Sequence, residues 1–190
     1  MGGEQMGANR MIVLLIALSG ALLGWMFFGL DPEFRHASGA GRFLDARLAG
    51  YDADAVLGLQ AALLDPARQE ARDLLRLMYL GPDLVLPLAL SLSLVLLLKG
   101  LAPGAILYGR RLELRHVRLL CLLPLTYGLL DYVENAGFLL FFPPASPGPV
   151  LSALLPDALP WISRLKLAFL AVSAILVIRL GWFRPTAPRR

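Results

Sequence analysis

Cysteine occurs once, at Cys121, and histidine twice, at His36 and His116. A lone thiol excludes an intrachain disulfide, and no paired-cysteine redox motif or zinc spacing can be drawn. HExxH, GxSxG and a phosphate-binding glycine loop are missing, as is the His-rich acid cluster that metal-dependent lipid enzymes use. These absences point away from an enzyme and assign no catalytic residue, metal or cofactor. Charge is scarce as well: 17% of the 190 residues are charged, against 57% hydrophobic. With a mean hydropathy of +0.66, such a chain has lipid as its main solvent and forms one small membrane domain, residues 1–190.

A hydrocarbon core of about 30 Å takes roughly 20 helical residues to cross. Four stretches meet or approach that length: residues 11–30, 77–98, 119–142 and 161–180. The second is the short one, because its uninterrupted apolar part covers only 84–98. It has to draw in Leu77 to Leu80 together with Gly81, Pro82 and Asp83, and Pro82 and Pro87 would bend it. The first exceeds the signal-peptide core of about 7 to 15 apolar residues. Its Trp25, Phe27 and Phe28 suit an interfacial anchor, so it reads as an uncleaved span.

Orientation follows from Lys and Arg, which short cytoplasmic loops retain. Lys99, Arg110, Arg111, Arg115 and Arg118 follow the second span, opposed only by Glu113, and the tail at 181–190 holds Arg184, Arg189 and Arg190. Segment 143–160 contains neither Lys nor Arg. Both termini are therefore expected in the cytoplasm, with segment 31–76 outside, in a bacterial inner membrane. The net charge of +4 is explained by this topology and by attraction to anionic head groups, and the chain carries no nucleic-acid-binding signature.

The outer segment has helical patterning over about 52–76. Asp52 is a fitting N-cap, and Val56, Leu59 and Leu63 repeat at the spacing of one helical face. Asp65 and Pro66 announce a second start, from which Ala67, Ala71, Leu74, Leu75 and Met78 form a stripe. The expected architecture is an all-α integral membrane protein: a four-helix transmembrane bundle with two short amphipathic helices in the first extracytoplasmic loop. Those helices either cap the bundle or act as a lid over it. Gly20 and Gly24 form a GxxxG pattern that suits close helix approach, within the bundle or with a second copy.

The third span carries Asp131, Glu134 and Asn135 near its middle, where carboxylates are costly and need a partner or a task. With Tyr127 they line a single stripe, since positions i, i+4, i+7 and i+8 share a helical face. Glu134 lies about 5 Å beyond Asp131 along the axis, and on the antiparallel fourth span Lys166 falls about 6 to 8 Å to the outer side of the midpoint. The levels match, so Lys166 is expected to pair with Glu134 or Asp131. Arg164 is expected either to pair with Asp83, at the outer end of the second span, or to snorkel toward the interface. Asp83, Tyr127, Asp131, Glu134, Asn135, Arg164 and Lys166 thus form the candidate ligand-binding or ion-pair network.

The run GYDADAVLGLQAALLDPARQEARDLLRLMYLGPDLVLPLAL, followed by DYVENAGF, resembles a group of small four-span bacterial membrane proteins without a settled activity. The shared elements correspond to Gly50 and Tyr51, the Ala-Leu run at 61–64, Asp83 with Pro87, and Asp131, Tyr132, Glu134 and Asn135. Asp83 departs from the pattern by following Gly81 and Pro82, where the group has a more continuous helix. The resemblance implies the architecture and the choice of residues, and no reaction.

Three functions fit these residues. The acid-base network can fix helix register in a structural or interaction protein, whose partners are lipids, a second copy or another membrane protein. It can form a site for a lipid head group or small ligand. It can serve an oligomeric ion- or proton-coupled carrier or channel through Asp131 and Glu134.

Overall fold

The computed structural model describes residues 2–47, 49–102, 105–107, 110–145 and 147–182. Seven α-helices occur among them. Helix α1 (Gly2–Trp25) passes through a π-helical turn (Met26–Leu30) into α2 (Asp31–Ser38). Helix α3 (Ala53–Leu63), a 3-10 turn (Pro66–Arg68) and α4 (Gln69–Leu80) precede the long α5 (Pro82–Leu101), α6 (Leu114–Phe141) and α7 (Pro149–Trp182). The remaining regular structure is a two-residue antiparallel ladder, β1 (Ile106–Leu107) against β2 (Arg110–Arg111), in the turn between α5 and α6.

Local chemistry accounts for the helix ends. Asp52 accepts from the Ala55 N–H at 2.9 Å and Asp65 from the Ala67 N–H at 2.9 Å, each satisfying a donor that the first turn leaves open. Gly39 closes α2 at φ 63°, a left-handed conformation that suits glycine, while its N–H returns to the Arg35 carbonyl. Val56, Leu59 and Leu63 of α3 are buried, as are Ala71, Leu75 and Met78 of α4, while Leu74 is half-buried and Ala67, before α4, is exposed.

Three helical stretches are long and apolar enough to cross a membrane: 7–38, 66–101 and 149–182. Helix α6, at 28 residues, has the length, but Asp131, Glu134 and Asn135 lower its apolar character. Its outer side remains greasy, with Leu119, Leu122, Leu125, Leu129, Val133 and Leu140 exposed. Val13, Leu14, Phe28, Ile175 and Ile178 are exposed on the other long helices. Exposed apolar side chains along all the long helices are compatible with a membrane protein.

The boundaries differ from the sequence expectation: α1 and α6 begin earlier, at Gly2 and Leu114, and three further differences have local causes. The first helix continues past Leu30 to Ser38 through the π-helical turn, in which the Asp31 N–H reaches the Met26 carbonyl, and Pro32 falls in the first turn of α2 where its missing N–H is tolerated. The second stretch breaks at Gly81, since Pro82 disfavours helical geometry in the residue before it, and α5 reaches its 20 residues by extending through Leu101. The proline-rich segment 149–160 is the first part of α7, with Pro156 and Pro160 inside the helix. The arginines expected in the tail lie outside the described residues.

Helix α6 packs between α5 and α7, while α1 lies against α5, α2 against α4, and α3 against α7. At Gly128 an added Cβ would lie 2.6 Å from Ser91 Oγ, so glycine permits the close approach of α5 and α6. No atom lies within 4 Å of a Cβ built on Gly20 or Gly24, so the GxxxG face makes no close contact among the described residues. Two apolar clusters stabilise the bundle. One gathers Leu30, Phe34, Phe43, Tyr79, Phe138 and Leu159, and the other Val95, Leu98, Val117, Cys121 and Leu180. Along α6, Tyr127 and Asp131 fall between the two.

Candidate functional site

Helical spacing brings Asp131, Glu134 and Asn135 onto one buried face of α6. Lys166 enters from α7 and is only 6% exposed. Its Nζ donates to Asp131 Oδ1 at 2.9 Å and to Asp45 Oδ1 at 2.7 Å, and it forms an ion pair with Glu134 Oε2. The expected choice between Glu134 and Asp131 resolves into contact with both.

Asp45 and Tyr51 were not anticipated as members of this network. Tyr51 donates its hydroxyl hydrogen to Glu134 Oε1 at 2.5 Å, and Glu134 is fully buried. Burial, reinforced by the neighbouring carboxylate charge, pushes the Tyr51 hydroxyl above its ordinary range and keeps it a neutral donor. Asp45 is delivered by a pinned loop. The Asp31 carboxylate accepts from the Phe43 N–H at 3.2 Å and meets Arg35 and Arg42, each at 3.3 Å, while Phe34 stacks on Phe43 at 3.9 Å. Phe43 and Leu44 are buried beside Asp45, and FLDA has no helical or strand periodicity from which the sequence could place the loop.

Asn135 Nδ2 bridges the Asp83 carbonyl at 3.2 Å and Asp131 Oδ2 at 3.4 Å, joining the entry of α5 to the network. Tyr132 donates to the Leu84 carbonyl at 2.8 Å and braces the same corner. Asp83 itself is 4% exposed, and its Oδ2 is buried without a hydrogen-bond partner among the described residues. Asp45 Oδ2, Tyr79 Oη and Asn135 Oδ1 share that condition. Such atoms carry a desolvation cost unless something completes them.

Arg164 does not join Asp83. It is exposed and lies over the Trp161 ring, 5.1 Å from the centroid. The reason is angular: residues two apart on a helix point to different sides, so an inward Lys166 sends Arg164 outward. Arg164 therefore stays outside the buried network, in which Lys166 is the only base among the described residues.

Beside the network is a cavity of about 180 Å³. Asp45, Asp83, Asp131, Tyr127 and Lys166 contribute its polar end. Most of its wall is apolar, including Met26 and Phe27 after α1, Leu86 and Leu90 of α5, and Leu167 and Leu170 of α7. A few convergent polar groups in an apolar concavity are the usual composition of a ligand site. No set of three or more His, Cys, Asp or Glu side chains is arranged to hold a metal among the described residues, and the Lys166 ammonium already occupies the centre of three of the acids. Comparison with family models, curated proteins and solved structures returned no match to this chain.

Proposed function

We propose that this chain is a four-span bundle of the bacterial cytoplasmic membrane, with both termini inside, that binds a small amphipathic ligand in the outer half of the bundle. In this reading α6 is the fourth crossing helix, its acids shielded by α5 and α7, and α3 and α4 cover the outer end. The resemblance to small four-span bacterial proteins agrees with that architecture. The arginine-rich turn before α6 and the absence of Lys and Arg from 143–160 support the orientation.

The observation that carries the binding function is the cavity between an apolar wall and the buried, unpartnered Asp83 carboxylate oxygen. Lys166 pairs with Asp45, Asp131 and Glu134, whereas Asp83 makes no ion pair within 4 Å among the described residues and lines the cavity. Native mass spectrometry of the detergent-extracted protein tests the reading, with wild type beside Leu90→Trp, whose indole would fill the cavity. A retained ligand or lipid lost from the variant is the expected result. Identical ligand-free spectra, with no binding of added amphiphiles by either protein, would leave only the structural role.

A further inference from the structure

Lys166 Nζ donates to Asp45 and Asp131 and is ion-paired with Glu134, so three carboxylates already surround its ammonium. Arg164, the other base expected here, lies outside on Trp161. Asp83, by contrast, makes no ion pair within 4 Å among the described residues. It lines the cavity, is nine-tenths buried or more, and has an unpartnered Oδ2. Asp45, which also lines the cavity, has an unpartnered Oδ2 as well. With these carboxylates ionised, the open positions are acceptors, and what completes them has to bring donors.

From this geometry we propose that the cavity binds a hydrophobic amine, held as its ammonium by Asp83 and Asp45, with its apolar body against Met26, Leu86, Leu90 and Leu170. The proposal rests on the binding function above and names its ligand class. An ammonium supplies several donors and the missing positive charge at once. An alcohol offers one donor and no charge, and a carboxylate or phosphate is repelled. Size agrees: an apolar cavity of roughly 150 Å³ holds a benzene ring, so about 180 Å³ takes one ring or a short alkyl segment. The wall between α1 and α7 includes the exposed Leu23 and the half-buried Phe27, Leu167 and Leu170. An amphiphile dissolved in the bilayer can enter there with its amine leading. The amine belongs either to a lipid such as phosphatidylethanolamine or to a free hydrophobic amine, and the recognition chemistry is the same.

Three matched probes test the proposal by calorimetric titration of the full chain in neutral detergent: 4-phenylbutylamine, 4-phenylbutanol and 4-phenylbutyrate. The amine is expected to bind at least about tenfold more tightly than the alcohol, with the carboxylate weakest, a difference in the range of a charge-assisted hydrogen bond. Asp83→Asn should bring the amine down to the alcohol's affinity, and Leu90→Trp should abolish binding of both. Equal binding of amine and alcohol by wild type, with both lost in Leu90→Trp, overturns the amine and leaves the cavity function standing. No binding of any probe, or binding indifferent to Leu90→Trp, overturns both. The comparison within wild type decides the matter even if Asp83→Asn fails to fold. Phosphatidylethanolamine retained from nanodiscs by wild type, and displaced by the phenylbutylamine, marks the lipid as the source. Amine binding without retained lipid marks a free amine.

Discussion

Tyr51 holds Glu134 Oε1 at 2.5 Å across 83 residues of chain, so a side chain from the segment before α3 completes a carboxylate buried on α6. Tyr51→Phe removes the donor while preserving the ring. The stranded carboxylate oxygen is expected to cost about 1–3 kcal/mol, measurable as a lower midpoint of unfolding in detergent. Glu134→Gln in the same background should recover part of the loss.

The same phenol gives a pH prediction. Its raised folded-state value exceeds the unfolded one of about 10, so above that pH the unfolded chain releases a proton that the folded chain keeps. Stability from this group is complete below about pH 10 and falls as pH rises beyond it. The difference in tyrosinate absorbance between wild type and Tyr51→Phe should stay flat until unfolding begins. A phenolate signal from folded protein near the ordinary tyrosine range would contradict the buried contact.

Replacing Lys166 with methionine keeps the bulk and removes the charge. Three carboxylates then lack their common partner, and the expected loss is about 3–5 kcal/mol, the range for breaking a buried ion pair from one side. The triple variant Lys166→Met, Asp131→Asn, Glu134→Gln should be more stable than the single one. Equilibrium unfolding of the set distinguishes charge imbalance from lost packing.

Arg164→Gln should behave differently despite being two residues away. It removes an exposed cation over Trp161, an interaction of about 0.5–1 kcal/mol at such sites, and leaves the buried network intact. A destabilisation comparable to that of Lys166→Met would place Arg164 in the network after all.

The α5–α6 contact is open to a double-mutant cycle. Gly128→Ala drives a methyl group into Ser91 Oγ, which donates to the Pro124 carbonyl at 2.8 Å, and overpacking of this kind costs about 1–3 kcal/mol. Ser91→Ala removes the nearest atom, so the double variant should be more stable than the sum of the two single effects predicts. Additivity in thermal unfolding would mean that the helices separate freely at this level.

Much of the site was legible because helical geometry is regular. Asp131, Glu134 and Asn135 share a face by spacing alone, and counting residues along α6 and α7 brings Lys166 to their level. The caps at Asp52 and Asp65 were legible for a similar reason, each acting within three residues of its own position. Arg164 differs because its height along the helix matches the network while its angle around the helix, two residues from Lys166, points it away. Asp45 could not be read, since its partner lies 121 residues away and its place depends on Asp31 holding the Phe43 N–H in an aperiodic loop.

Lys166 is also the last member of its network to be synthesised. Asp45, Asp131 and Glu134 all precede it in the chain, and in a bilayer the insertion of α6 alone would carry acids that cost about 2.5 to 3.5 kcal/mol apiece at the helix centre. Only α7 brings the compensating charge. If α6 crosses the membrane as proposed, α6 and α7 have reason to enter it as a hairpin, and the loop bearing Asp45 can close only after both are in place.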